Sequence, residues 1–150
     1  MLYIASDHGG FALKEQLKAW LLATAGRGTD FGPEMLVPDD DYPDYAKKVA
    51  SKVSKNPELD FGILICRSGQ GVCIAANKFK GVRAGLVWNV KEAKASRNDD
   101  HTNILCLPSD YITFKQAQAI VKTWLDTPWS NDPRHVRRIK KISKIEQLLS

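Results

Sequence analysis

Cys66 closes a run of apolar β-formers, Phe61-Gly-Ile-Leu-Ile-Cys66, and is followed at once by Arg67-Ser68-Gly69-Gln70-Gly71 and a helical pattern. A buried strand that passes through a Gly/Ser turn into a helix presents backbone N–H groups at the positive end of the helix dipole. Such a turn can hold an anion, here with Ser68 and the backbone of Gly69, Gln70 and Gly71 around it. A thiol beside that field can have a lowered pKa and act as a base or nucleophile. The plainer reading is a small buried hydrophobe at a strand end. The glycines match neither the Gly-Lys-Ser/Thr phosphate loop nor the six-position dinucleotide fingerprint. Asp7 and His8 form a second candidate pair, just before Gly9-Gly10. An Asp can orient a hydroxyl or an imidazole, or cap a helix; a His can bind phosphate or move a proton. Arg134 and Arg138 lie one helical turn apart, so both can reach one phosphate. Asn77, at the end of the helix after Gly71, is a ligand contact or a structural helix-end residue.

The elements that must position these groups follow from periodicity. Short apolar runs predict strands over 2–6, 61–66, 82–87 and 104–107, with a shorter strand within 26–32. Amphipathic spacing predicts helices over 11–23, 42–55, 70–79, 90–97, 113–126 and 134–149. Strict strand–helix alternation argues a doubly wound, Rossmann-like, three-layer α/β/α sandwich with a parallel sheet and an extended C-terminal helix, with residues 1–150 as one unit. Ligands of such folds bind beyond the carboxyl ends of the strands. Those ends carry Asp7-His8-Gly9-Gly10, Cys66 to Gly71, Trp88-Asn89 and Leu107-Pro108-Ser109. That convergence on one rim is stronger than any single motif.

Charge is unevenly spread. The net charge is +5, and residues 133–150 carry all of it, with six cations against Glu146 alone. A basic helix of this kind suits a phosphorylated small molecule, an acidic partner or nucleic acid, or is a solvated face. Its apolar stripe of Val136, Ile139, Ile142, Ile145 and Leu149 requires a docking surface, on this chain or on a second subunit. Three cysteines without CxxC spacing suggest neither a disulfide framework nor a zinc site, and point to the cytoplasm. The opening Met-Leu-Tyr-Ile-Ala-Ser-Asp reads as a strand rather than a signal peptide, and no run approaches a membrane span.

Six motifs occur in order: Ser-Asp7-His8-Gly-Gly-Phe-Ala-Leu-Lys, Asp41-Tyr42-Pro43-Asp-Tyr45-Ala, Gly62-Ile-Leu-Ile-Cys66-x-Ser-Gly-x-Gly71, Ile74-Ala-Ala-Asn77-Lys-Phe-Lys-Gly-Val-Arg83-Ala, Ser96-Arg97-x5-Asn103-Ile-Leu and Arg134-His135-x-Arg137-Arg138. With this spacing the chain resembles the B-type ribose-5-phosphate isomerases, a family that includes galactose-6-phosphate isomerase subunits. The resemblance implies a metal-free, cofactor-free aldose–ketose isomerase working through a cis-enediol. It implies Cys66 as the base, because another subtype carries Glu where this chain has Val72. It implies an anion hole from Ser68 to Gly71, and phosphate ligands at His8, Arg134 and Arg138, the arginines coming from the neighbouring subunit of a homodimer or dimer of dimers. Asp7 matches a residue near the sugar ring oxygen, and Tyr42 a residue near the site. Nucleic acid and membrane are not expected partners.

The chain departs from the family pattern at three places. The His that opens the sugar ring is replaced by Asp99, with His101 two residues on. A Gly-Ser-Arg strand end reads Pro108-Ser109-Asp110, which loses a basic phosphate ligand. Arg67 stands where Gly is usual. The expectation is that Arg67 replaces the lost cation or pairs with Asp99 or Asp110, and that His101, or failing that Asp99, opens the ring with Asp7 as its counterpart. The alternatives are a hexose-6-phosphate isomerase of allose or galactose type, a non-catalytic subunit of one and, behind these, a nucleotide- or nucleic-acid-binding α/β module that uses the basic tail.

Overall fold

Residues 1–26 and 28–148 are described by the computed structural model. Strands β1 (Leu2–Ser6), β2 (Thr29–Asp30), β3 (Phe61–Cys66), β4 (Ala84–Leu86) and β5 (Ile104–Pro108) form one parallel sheet in the order β2-β1-β3-β5-β4. Ser6 lies opposite Ile65 and Cys66 opposite Pro108, so β1, β3 and β5 end side by side. The helices are α1 (Phe11–Ala25), α2 (Tyr42–Val53), α3 (Gln70–Ala76), α4 (Val90–Asn98), α5 (Phe114–Asp126) and α6 (Pro133–Gln147).

The two-residue period of the strands builds both layers. Ile4, Ile63, Ile65, Leu105 and Leu107 pack with Leu13, Leu17 and Leu21 of α1, Ala93 of α4 and Ile120, Val121 and Trp124 of α5. The alternate residues Ala5, Leu64, Cys66, Ile104 and Cys106 pack with Ala46, Val49 and Val53 of α2 and Val72 and Ala76 of α3. Helices therefore cover both faces, as the alternation predicts. Among the described residues no helix is long and apolar enough to cross a membrane.

The structure differs from the periodicity at three places. Helix α3 stops at Ala76 because the Asn77 side chain leaves the helical pattern for β4. Its Nδ2 donates to the Ala84 carbonyl and its Oδ1 accepts the Ala84 amide, both at 2.9 Å. Helix α1 buries Lys14 completely, with Nζ 2.6 Å from both Glu15 and Asp30, which ties α1 to the two-residue strand β2. Helix α6 buries His135 and Ile139, whereas Ile142 and Ile145 are 49% and 59% exposed. Half the stripe thus has no cover within the protomer, and Leu149 lies outside the described residues.

Candidate active site

The rim is assembled by backbone bonds at the strand ends. Ser109 donates through its amide and its hydroxyl to the Cys66 carbonyl, at 3.0 and 3.1 Å, and its hydroxyl reaches the Gly9 carbonyl at 2.8 Å. The turn after β1 and the end of β3 are thereby held against the end of β5. Cys66 is 5% exposed and shares its buried cluster with Val72.

Gly69 sits at φ 72° as the residue before α3, a conformation that disfavours any side chain. A Cβ there would also strike the Leu86 side chain. One at Gly71 would come within 2.6 Å of the Tyr42 ring, so that ring lies against the turn. The Gln70 amide donates to the Ser68 hydroxyl at 3.3 Å. The remaining first-turn amides of α3 have no intrahelical carbonyl to bond, which leaves them for a ligand.

Asp7 is buried and accepts the Gly10 amide at 3.1 Å, a local capping bond. His8 points to Asp40, whose Oδ1 lies 2.8 Å from both the His8 amide and the ring Nδ1. The hydrogen bond to Asp40 raises the His8 pKa. Burial favours a neutral Asp40, but the bonds from the His8 amide and ring prevail and hold the carboxyl below its usual range. Burial and the Asp40 charge push the Tyr45 phenol up to about 12. Arg67 lays its stem over Gly9, and its Nη1 is 3.7 Å from Asp110 with both side chains well exposed. Among the described residues, Asp7, His8 and Asp40 bring ligand atoms within 4.8 Å of one another. They could hold a cation, but the His8–Asp40 hydrogen bond accounts for their approach without one.

Cys66, Ser68, Gly69, Gln70, Gly71, Tyr42, Asp7, His8 and Arg67 thus meet at the carboxyl rim. Asn77 does not join them, its amide being engaged by β4. Asp99 and His101 precede β5 and lie at the opposite, amino edge of the sheet. His101, at φ 51°, stacks on Trp129 with ring centroids 4.2 Å apart. Its Nε2 is 3.6 Å from Glu58 and its Nδ1 3.4 Å from Arg83 Nη2. Burial lowers its pKa, and the Arg83 charge adds to that. Asp99 keeps a 46% exposed side chain with Oδ1 3.9 Å from Nε2 of buried His135. Arg134 and Arg138 are exposed on α6. Neither Asp40 nor Tyr45 was expected from the sequence as a site member; the signals were the Asp39-Asp40-Asp41 run before α2 and the place of Tyr45 in the Asp41-Tyr42-Pro43-Asp-Tyr45-Ala motif.

A parallel α/β sheet carrying a thiol, an anion-binding turn and an Asp-His pair at adjacent strand ends has the layout of an enzyme for a small anionic ligand. The sequence profile of the ribose/galactose isomerase family matches residues 2–142. A probable ribose-5-phosphate isomerase B of Mycoplasma genitalium is 44% identical over 97% of this chain and 95% of its own. The ribose-5-phosphate isomerase B of Mycolicibacterium paratuberculosis is 36% identical over 97% and 91%. The crystal structure of the M. genitalium enzyme with bound ribulose-5-phosphate superposes with a TM-score of 0.94, at 44% identity over 97% of this chain and 95% of that one. The Clostridium thermocellum ribose-5-phosphate isomerase B gives 0.93, at 40% identity over 99% of each chain. This chain belongs to the ribose/galactose isomerase family.

Proposed function

We propose that this chain interconverts ribose 5-phosphate and ribulose 5-phosphate without a metal, through a cis-enediol. The observation that carries the reading is Cys66 at the end of β3, beside the Gly69–Gly71 turn, with buried Val72 at the position of the alternative base. In the open-chain aldose the Cys66 thiolate removes the C2 proton. The electron pair moves onto the carbonyl oxygen O1, and the resulting enediolate sits against Ser68 and the amides of the turn. The O2 proton passes to O1, the C2–O2 carbonyl forms, and the thiol returns its proton to C1. No atom is gained or lost, and the base is regenerated.

His8 binds the phosphate, and Arg134 and Arg138 join it from a second copy of the chain. The amino-edge position of Asp99 and the exposed arginines of α6 support a shared site, because neither lies at the Cys66 rim of its own protomer. The uncovered half of the α6 stripe supports the same dimer, or a dimer of dimers. Asp99 is the better placed ring opener, since His101 is held in its stack between Trp129, Glu58 and Arg83. The cytoplasm is the compartment that suits three free thiols.

The test is a sugar-phosphate panel on the purified chain. Turnover of ribose 5-phosphate well above that of allose and galactose 6-phosphates supports the reading. The family also covers galactose isomerases. Turnover confined to a hexose phosphate overturns the pentose assignment. Inactivity alone with rescue by a partner chain identifies a non-catalytic subunit.

A further inference from the structure

We infer that Asp40 is the positioning residue of the phosphate subsite, holding His8 with Nδ1–H turned inward and Nε2–H turned to the ligand. The inference rests on the reading of His8 as a phosphate ligand. Asp40 reaches the rim from the loop before α2, and its side chain is only 7% exposed. Its Oδ1 accepts from both the backbone and the ring of His8, each at 2.8 Å, which fixes the residue at two points. An ionised carboxylate can only accept, so Nδ1 must carry a proton. The neutral ring then has Nε2 free, and the cationic ring presents Nε2–H outward.

The phosphate of a sugar monoester is largely a dianion at neutral pH, so only the imidazolium supplies both a donor and a charge. Three charged or titratable groups, Asp7, Arg67 and Tyr45, face the His8–Asp40 pair. Asp40 and Asp7 favour the imidazolium, Arg67 opposes it, and Tyr45 lies near Asp40, whose Oδ2 is buried without a hydrogen-bond partner among the described residues. Asp40 is the strongest of the favourable partners. Loss of its charge, with its shape kept, therefore makes His8 give up its proton at lower pH. Phosphate affinity then fails at a pH where the native protein still binds.

The experiment follows the ring nitrogens of His8 by NMR in the full-length protein, as a function of pH, with inorganic phosphate as the probe. In the native chain the neutral ring should carry its proton on Nδ1, and phosphate should perturb Nε2 far more than Nδ1. Asp40→Asn should move the His8 titration midpoint down. It should raise KM about tenfold at pH 7.5 while lowering kcat far less, the size expected of one charge-assisted hydrogen bond. Asp40→Ala, which also frees the tautomer, should raise KM further. A neutral ring protonated on Nε2, an unmoved midpoint in Asp40→Asn, or a fall in kcat with KM unchanged would each overturn the inference. The native-chain measurement needs no variant to fold, and neither NMR reading depends on which sugar is turned over. Phosphate that binds elsewhere and leaves the His8 ring untouched would instead sink the subsite assignment itself.

Discussion

Replacing Cys66 by alanine separates chemistry from packing. The side chain is 5% exposed and lies in the cluster of α2, α3 and the sheet. Removing one sulfur atom there costs about 1 kcal/mol of stability, a shift of roughly 2–4 °C in Tm for a chain of this size. The variant stays folded at assay temperature. Loss of a positioned base costs at least ~10²-fold in kcat, about 2.7 kcal/mol of barrier. Cys66→Ser keeps the shape but offers a hydroxyl whose conjugate base is scarcely populated, so it should fall as far. Cys106→Ala and Cys73→Ala are the controls. Cys106 is wholly buried within β5, and Cys73 Sγ sits 3.4 Å from the Ala84 carbonyl, away from the rim. Each should lose stability and keep turnover within about twofold, against the base-loss scale above. The assay is ketose formation from ribose 5-phosphate, run beside incorporation of deuterium from D2O at C1. Near-native turnover and exchange in Cys66→Ala would refute the assignment.

Three further outcomes are expected. Asp30→Asn strips a carboxylate from the buried Lys14 ammonium and should cost about 3 kcal/mol, or roughly 6–12 °C in Tm. Burial works against the charged form of Asp30, but bonds from Lys14, Lys18 and the Gly32 amide outweigh it and lower its folded pKa. The difference between native and variant stability should therefore be constant above the unfolded carboxylate range and shrink as pH falls below ~4; a gap that persists at pH 2 refutes the ionic account. Removal of residues 133–150 should raise KM sharply and weaken the proposed dimer, read by steady-state kinetics and analytical ultracentrifugation, and unchanged values for both exclude the tail from the site. Asp99→Ala should lose activity on cyclic ribose 5-phosphate and retain it on a short analogue that cannot cyclise, whereas His101→Ala should chiefly lose stability; equal losses on both substrates mean that neither residue is a dedicated ring opener.

The sheet was legible because its strands are short apolar runs with turn signals at fixed places. The run ending in Cys66 could be buried only on both faces, which required helices on both sides. Boundaries were less legible where a side chain competes with the backbone, as Asn77 does at the end of α3. Tyr42, the first residue of α2, came only from the family resemblance, whereas the rim residues that follow a strand could be read from topology. Asp40 could not, because nothing in its own stretch shows that the loop folds back over β1 to meet His8. Lys14 was hidden for the same reason: it sits on the apolar face of α1, and only the tertiary fold brings Asp30 to it. The departures from the family pattern were visible as letters. Their consequence was not, since the stacking of His101 depends on where Trp129 falls, and the setting of Asp99 on where α6 places His135.

Charge at the rim argues for the second copy independently of packing. A protomer brings Asp7, Asp40 and Asp110 to the strand ends, against His8 and Arg67. Arg67 is 3.7 Å from Asp110 and 66% exposed, a geometry in which water screens most of the attraction. Asp40 is committed to His8. The rim of a lone protomer therefore offers a dianionic phosphate little net positive potential. The excess of cations in this chain lies on α6, in a helix that starts at the amino edge of the sheet. Arg134 and Arg138 cannot serve the Cys66 rim of their own protomer from that edge, nor can Asp99. A two-fold arrangement that lays the amino edge of one copy against the carboxyl rim of the other would supply the missing charge, the carboxylate proposed for ring opening and a cover for Ile142 and Ile145 in one step. Each arginine then serves the site that lacks it. Arg134→Ala and Cys66→Ala, each inactive alone, should accordingly regain up to a quarter of native activity per site when mixed and allowed to exchange subunits, because one site of each mixed dimer is then intact. Mixtures that stay inactive after demonstrated exchange would place both residues in the same protomer's site.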